Sequence, residues 1–260
     1  MFKNVNIYEF GKENKRKLLF FQGSCTYWKD YMPSIELLSR NFNVIIPALE
    51  GHDPKAKTDF ISIEKTVRDT SDYLLEQGHD DIYAVYGLSF GGGMVLSLLA
   101  EGRIRFKKAI IDGGITPYEL PRWITRLILI KDYLMVMLIR SNLTLFKFFI
   151  DPKRWTPKEG GEEKYKSMYL FLKGLSKKSV WNIFDSANNY HLPEPFPELS
   201  TEIQFWYGSH EKRERKRDIK WVLNKIKGVR LKEIPGMEHG ELVVMNPQLF
   251  YDNAIDFLSL

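Results

Sequence analysis

Ser89 stands in Gly87-Leu88-Ser89-Phe90-Gly91-Gly92, directly after the apolar run Ile82–Tyr86 and just before Met94-Val95-Leu96-Ser97-Leu98-Leu99. A serine between a buried strand and a helix sits on a sharp, strained turn. Bulk two residues before or after it would strike the strand or the helix, so both places need glycine. The helix that starts at the serine points backbone N–H groups toward any negative charge developing there. Nucleophilic attack by the hydroxyl is the chemistry this spacing offers.

A serine hydroxyl needs a base, and the base needs an orienting acid. The histidines are His52, His79, His191, His210 and His239. His239 lies in Pro235-Gly236-Met237-Glu238-His239-Gly240, after the last strand-like run and before the last helix-like one. That loop belongs at the carboxyl edge of a parallel sheet, the edge that also carries Ser89. His79 follows a helix at the opposite edge, and His191 falls outside the strand–helix alternation, so His239 is the expected base. For the acid, Glu211 follows the strand-like run ending in Tyr207-Gly208. Asp112, at the end of the strand after the serine's helix, is the alternative. Asp218 lies farther along a helix. An acid at a helix start is favoured in any case, so placement alone leaves Glu211 and Asp112 both open.

The elements that must position these residues alternate. Strands are expected at Leu18–Phe21, Val44–Ile46, Ile82–Tyr86, Ala109–Ile111, Ile203–Tyr207 and Val229–Ile234, with an antiparallel edge strand around Val5–Phe10. Most are continuous apolar runs, as strands buried on both faces are. Helices are expected at Pro33–Ser39, Ile61–Glu76, Phe90–Ala100, Asp218–Lys225 and Pro247–Leu258. The pattern predicts an α/β fold, a mostly parallel sheet flanked by helices with right-handed crossovers.

Residues 115–199 break the alternation. They hold no convincing strand, open after Gly113-Gly114 and close with Pro193-Glu194-Pro195-Phe196-Pro197. They are expected to form a helical cap on a core of 1–114 and 200–260, hinged near the paired glycines and the prolines. Trp123–Ile150 is very apolar, but Arg126, Lys131, Asp132, Arg140 and Lys147 interrupt it. Its longest uncharged run, Tyr133–Ile139, falls far short of the roughly 18 apolar residues of a span. The expectation is an apolar cap face buried above Ser89, with aromatics such as Trp123, Phe146, Phe148, Phe149 and Trp181 mostly in its core.

Composition narrows the class. The chain has 260 residues, 44% hydrophobic and 14% aromatic, which suffices for a sizeable core. Cys25 is the single cysteine, so neither an intrachain disulfide nor a zinc cysteine cluster can form. Beside Ser89 it reads as a small buried filler. Residues 1–6 lack a basic segment followed by an apolar run, so no signal peptide is expected and the cytoplasm is the expected setting. The run Lys212–Arg217 is broken by Glu214 and lacks interleaved aromatics; it reads as a solvated helix face, with no nucleic-acid partner.

These residues together resemble the α/β-hydrolase superfamily over nearly the whole chain. Ser89, Glu211 and His239 occur in that superfamily's order of nucleophile, acid and histidine. Gly208-Ser209-His210-Glu211 resembles its strand-end Gly-x-x-Asp turn, with glutamate for aspartate. Gly51-His52 resembles its structural Gly-His loop, and Gln22-Gly23-Ser24 stands where it has His-Gly. The resemblance implies an oxyanion hole from the backbone N–H groups of Ser24 and Phe90. It implies a serine hydrolase acting on a small-molecule carboxylic ester with an apolar acyl group, without metal or organic cofactor. Thioester, amide or carbon–carbon bond hydrolysis, or ligand binding alone, are the other expectations.

Overall fold

The computed structural model describes residues 6–56, 58–158 and 160–259. Its centre is a seven-stranded sheet of β1 (Asn6–Phe10), β2 (Lys17–Phe21), β3 (Asn43–Ala48), β4 (Asp81–Leu88), β5 (Arg105–Asp112), β6 (Glu202–Gly208) and β7 (Arg230–Ile234). The spatial order is β1-β3-β2-β4-β5-β6-β7, with β1 antiparallel to β3 and every other pair parallel. The expected edge strand is therefore present from Asn6; Val5 lies outside the described residues.

The continuous apolar runs are buried on both faces because helices cover both. Leu19 and Phe21 of β2 pack with α2 (Ile63–Glu76) and α3 (Phe90–Glu101) on one side. Leu18 and Phe20 face α1 (Met32–Leu38) and α11 (Pro247–Leu258) on the other. β7 departs from the expectation of a run buried on both faces. At the sheet edge it exposes Arg230, Leu231 and Glu233, and it begins at Arg230, not Val229.

Between β5 and β6 lie α4 (Arg122–Ile139), α5 (Leu143–Phe149), α6 (Pro152–Trp155), α7 (Gly161–Gly174) and α8 (Lys177–Asn189). They share a small core of Phe146, Tyr165, Tyr169, Leu172, Leu175 and Val180. α8 is sewn to the segment before α2: Phe60 N donates to Ser179 Oγ (3.0 Å), Ile63 N to Ser186 Oγ (2.8 Å) and Asn182 Nδ2 to Phe60 O (2.8 Å). The apolar face of α4 is not where it was expected. It buries only Thr125 and Leu129, and leaves Trp123, Leu127, Leu134 and Leu138 exposed, as are Phe148 and Phe149 of α5.

After β6, α9 (Lys212–Lys225) takes in both the basic run read as a helix face and the Asp218–Lys225 helix, and α10 (Glu241–Met245) is a short helix that the pattern did not suggest. The basic run is partly spent on structure. Lys212 pairs with Glu233 at 2.6 Å, and Arg217 pairs with Asp218 at 2.7 Å while lying over the Tyr118 ring.

Candidate active site

Ser89 follows β4 and caps α3 with φ 54° and ψ −111°, a backbone conformation that a residue with a Cβ adopts only under constraint. The constraint is visible. Ser89 N donates to Asp112 O (2.7 Å), and Ser89 O accepts from Ile115 N (3.2 Å), so the turn is tied to the end of β5 and the residues after it. A Cβ on Gly91 would lie 2.6 Å from Phe21 O and 2.7 Å from Gln22 O, so α3 starts directly against the end of β2. The first residue of that helix, Phe90, is buried, and its ring meets Phe60 edge-on.

His239 Nδ1 lies 2.6 Å from Glu211 Oε2. The other carboxylate oxygen accepts from Gly208 N at 3.0 Å, and Arg215 Nε is 3.4 Å from Oε2. Burial alone would push the Glu211 carboxyl up. The hydrogen bond and charge of His239, the Gly208 N–H and the Arg215 guanidinium outweigh it and hold the carboxyl below its usual value. Two loops carrying this pair are zipped together. Ser209 N donates to Ile234 O (2.9 Å), His210 N to Met237 O (3.1 Å) and Gly236 N to Ser209 Oγ (2.8 Å).

Asp112 does not reach His239 with a hydrogen bond. Its Oδ2 accepts from Tyr86 Oη at 2.8 Å, and its carboxyl is pushed up to about 6, first by burial and then by the negative charge of Glu211. Of the two open acids, the structure brings Glu211 onto the imidazole and holds Asp112 on a tyrosine. Asp218 accepts from the backbone N and hydroxyl of Thr116 (2.9 and 2.7 Å), away from the imidazole.

Gly113 joins the parts. Its φ is +53°, and a Cβ there would stand 2.7 Å from both Cε1 and Nδ1 of His239 and 3.2 Å from Glu211 Oε2. The imidazole therefore rests on the Gly113 backbone, one residue along from the carbonyl that holds Ser89 N. The residue read from sequence as a hinge is pinned: its N donates to Trp206 O (2.8 Å), and its O accepts from Arg215 (3.3 Å). Leu88 fills the remaining space, touching the places where Gly23 and Gly240 would carry side chains.

Ser24 lies in the turn after β2, followed by Cys25 with φ 59°. Among the described residues, neither Ser24 N nor Phe90 N donates a hydrogen bond. His52 is a buried prop of this turn: its Nε2 accepts from Cys25 N (3.1 Å), its Nδ1 meets Glu50 O (3.0 Å), and burial pushes it down to about 4. Gln22 takes part through Nε2, which donates to Thr26 O. Cys25 is half-buried where a fully buried filler was expected, and desolvation pushes its thiol up to about 12, which favours the protonated form near neutrality.

This architecture is shared with solved structures. A protein of the alpha/beta hydrolase family from Desulfitobacterium hafniense superposes with a TM-score of 0.77 at 18% identity, over 97% of this chain and 100% of that one. The chain has the α/β-hydrolase fold. Within that fold it is also similar to MenH from S. aureus (TM-score 0.75, 17% identity, 99% of this chain and 98% of that one). A thermophilic esterase from Thermogutta terrifontis gives a TM-score of 0.74 at 15% identity, over 98% of this chain and 93% of that one. No family model and no curated protein sequence matches the chain. No group of three or more metal-ligating side chains occurs among the described residues.

Two residues of the helices between β5 and β6, Arg154 and Phe171, reach loops of the α/β core without a local signal in the sequence. Arg154 of α6 donates from Nε to Glu241 Oε2 (2.8 Å) and from its Nη2 to Gly236 O (2.8 Å); its Nη1 is 3.5 Å from Glu238 Oε1. Phe171 of α7 stacks on Tyr27 at 5.3 Å. Helices α6 and α7 thus touch the loop after β2 and the loop carrying His239.

Proposed function

We propose that the chain is a serine hydrolase that cleaves a small-molecule carboxylic ester with a small or medium apolar acyl group, through Ser89, His239 and Glu211. The observation that carries this reading is the 2.6 Å contact of His239 Nδ1 with Glu211, seated on Gly113 beside the strained Ser89 turn. In this reading His239 Nε2 takes the Ser89 proton as Oγ attacks the ester carbonyl carbon. Glu211 fixes the tautomer and stabilises the imidazolium. The N–H groups of Ser24 and Phe90, both free of other acceptors among the described residues, receive the oxyanion, each contributing on the order of 2.7–4 kcal/mol in the transition state. His239 then protonates the departing alcohol, and water attacks the acyl-enzyme by the same route to release the acid. No cofactor or metal enters this sequence.

Residues 115–199 act in this reading as the lid that sets acyl size, since Phe171 and Trp155 bring apolar surface to the loops around Ser89. A cytoplasmic setting with Cys25 reduced belongs to the same proposal. Among the described residues no helix is long and apolar enough to cross a membrane. The test is labelling with a fluorophosphonate, followed by p-nitrophenyl esters of graded acyl length. Labelling at Ser89 with turnover of the shorter esters is expected. A protein that neither labels nor turns over any ester in the series would overturn the reading. Labelling without ester turnover would redirect it to thioesters, amides or carbon–carbon bonds.

A further inference from the structure

α4 is an amphipathic helix turned inside out. Trp123, Leu127, Ile130, Leu134 and Leu138 recur every three or four residues and so form one stripe. All five are exposed, Trp123 by 67% and Leu134 by 58%. The opposite side holds α4 to the cap, where Thr125 Oγ1 donates to Asn189 Oδ1 (2.7 Å) and Tyr133 meets Trp181 edge-on. The stripe therefore cannot turn inward without dismantling that packing. α5, which follows, exposes Phe148 by 79%.

Cations border the apolar stripe. Arg122 and Arg126 flank it on one side and Lys131 on the other, all exposed, and Lys147 stands beside Phe148. Residues 120–150 carry Arg122, Arg126, Lys131, Arg140 and Lys147 against the single acid Asp132, a net charge of +4. Tryptophan and leucine on the outermost line, with arginine and lysine alongside, is the distribution of a helix that lies in a bilayer interface. We propose that the outer face of α4 and α5 docks on an anionic lipid bilayer surface, with the Trp123–Leu138 stripe at the headgroup–acyl boundary and the flanking cations on lipid phosphates. A second copy of the chain fits the same face poorly. A two-fold contact would bring the same net-positive face against itself, whereas anionic lipid complements Arg122, Arg126 and Lys131. The proposal is independent of the chemistry assigned to Ser89.

The test is flotation of the full chain with vesicles of phosphatidylcholine alone and with phosphatidylglycerol added, at low and high salt. Partitioning onto the phosphatidylglycerol vesicles, weakened by salt, is expected. W123D/L134D should lower the partition coefficient about 100-fold, roughly tenfold for each apolar anchor withdrawn. R122E/R126E should lower it at least ~10-fold on the anionic vesicles and leave the weak binding to phosphatidylcholine unchanged. All four side chains are exposed, so far-UV circular dichroism of both variants should match the parent. A blue shift of tryptophan emission on adding anionic vesicles should be smaller in W123F. Absence of partitioning by the parent chain, or equal partitioning by W123D/L134D, overturns the proposal. So does a sedimenting dimer that W123D/L134D disperses, which would assign the face to a second copy.

Discussion

Gly113→Ala isolates the junction on which the proposed chemistry depends. The new Cβ would stand 2.7 Å from His239 Cε1 and Nδ1, where carbon contacts normally lie at about 3.5–4.0 Å. Something must yield by about 1 Å. If the imidazole yields, its 2.6 Å bond to Glu211 is lost. If the Gly113 backbone yields, it pulls on its bonds to Trp206 O and Arg215, and on the neighbouring Asp112 carbonyl that holds Ser89 N. Both routes displace a reacting group. A displacement of about 1 Å costs on the order of 10²-fold in turnover. The positive φ adds about 1 kcal/mol of instability, and the overpacking about 1–3 kcal/mol more.

A control separates these effects. Gly102 has φ +66° with nothing within 4 Å of an added Cβ. Gly102→Ala should carry the backbone cost of about 1 kcal/mol, a fall of roughly 2–4 °C in Tm, and no loss of turnover. The assay is kcat on a p-nitrophenyl ester beside thermal unfolding of both variants. Gly113→Ala should lose about 100-fold in kcat against Gly102→Ala. Equal kcat in the two variants would refute the claim that the imidazole rests on this glycine.

Glu211→Gln should cut turnover by about 10⁴-fold, while Asp112→Asn changes it by less than about tenfold; the reverse ranking would move the acid to Asp112. Asp112 also predicts a stability profile. Its carboxyl is raised to about 6 in the folded chain, so the fold binds that proton more tightly than the unfolded chain does. Its contribution is intact below about pH 4 and is lost as pH rises through about 6, a cost of about 2–3 kcal/mol by pH 7. Asp112→Asn, which keeps an acceptor for Tyr86, should remove that slope in urea titrations at pH 4–7 and be the more stable protein at pH 7. Ser89→Ala and Ser89→Gly should both be inactive, with the glycine variant about 1 kcal/mol more stable because it relieves φ 54°; equal Tm values would show the turn to be unstrained. Arg154→Ala should cost about 1–2 kcal/mol and several-fold in kcat, read by unfolding and ester turnover, because buried Glu241 loses its guanidinium partner.

Residues whose positions are set by local chain geometry were legible in the sequence. A serine between glycines after an apolar run stands on a strand-to-helix turn, and His239 and Glu211 follow the last two strands of the sheet. The same logic located β1 as an antiparallel edge. Contacts across long loops left no local trace. Gly113 carries a glycine signature that suits a hinge as well as it suits a close approach, and only the fold brings residue 239 onto it. Arg154 reaches Glu241 across 87 positions, and nothing around it marks it apart from the other arginines between β5 and β6. Which carboxylate meets His239 could not be read from placement because Glu211 and Asp112 both end up at the carboxyl edge; Asp112 is bonded instead to Tyr86 on the neighbouring strand. For α4, hydrophobic periodicity located the stripe but not its direction. Burial was assumed, and the inward side is filled by Thr125, Leu129 and Tyr133 instead.

The site is held by close approaches at its glycines. Backbone meets backbone at Gly91 against the end of β2 and at Gly208 against Met237 O, while Gly113 meets the imidazole and Gly240 the Leu88 side chain. Such close approaches fix the loops to one another through short N–H···O bonds, so the His239–Glu211 pair inherits the rigidity of the sheet even though both residues lie in loops. The helices between β5 and β6 are joined to this frame in two ways: α8 through Ser179 and Ser186, which accept buried N–H bonds from Phe60 and Ile63, and α6 and α7 through long side chains, Arg154 on the His239 loop and Phe171 on Tyr27. A junction of extended side chains can open by rotamer changes, whereas one of packed backbones opens only with local unfolding. Under the proposed function, α6 and α7 are therefore the helices expected to move aside for substrate and product, while α8 stays on the core and the His239–Glu211 pair keeps its geometry.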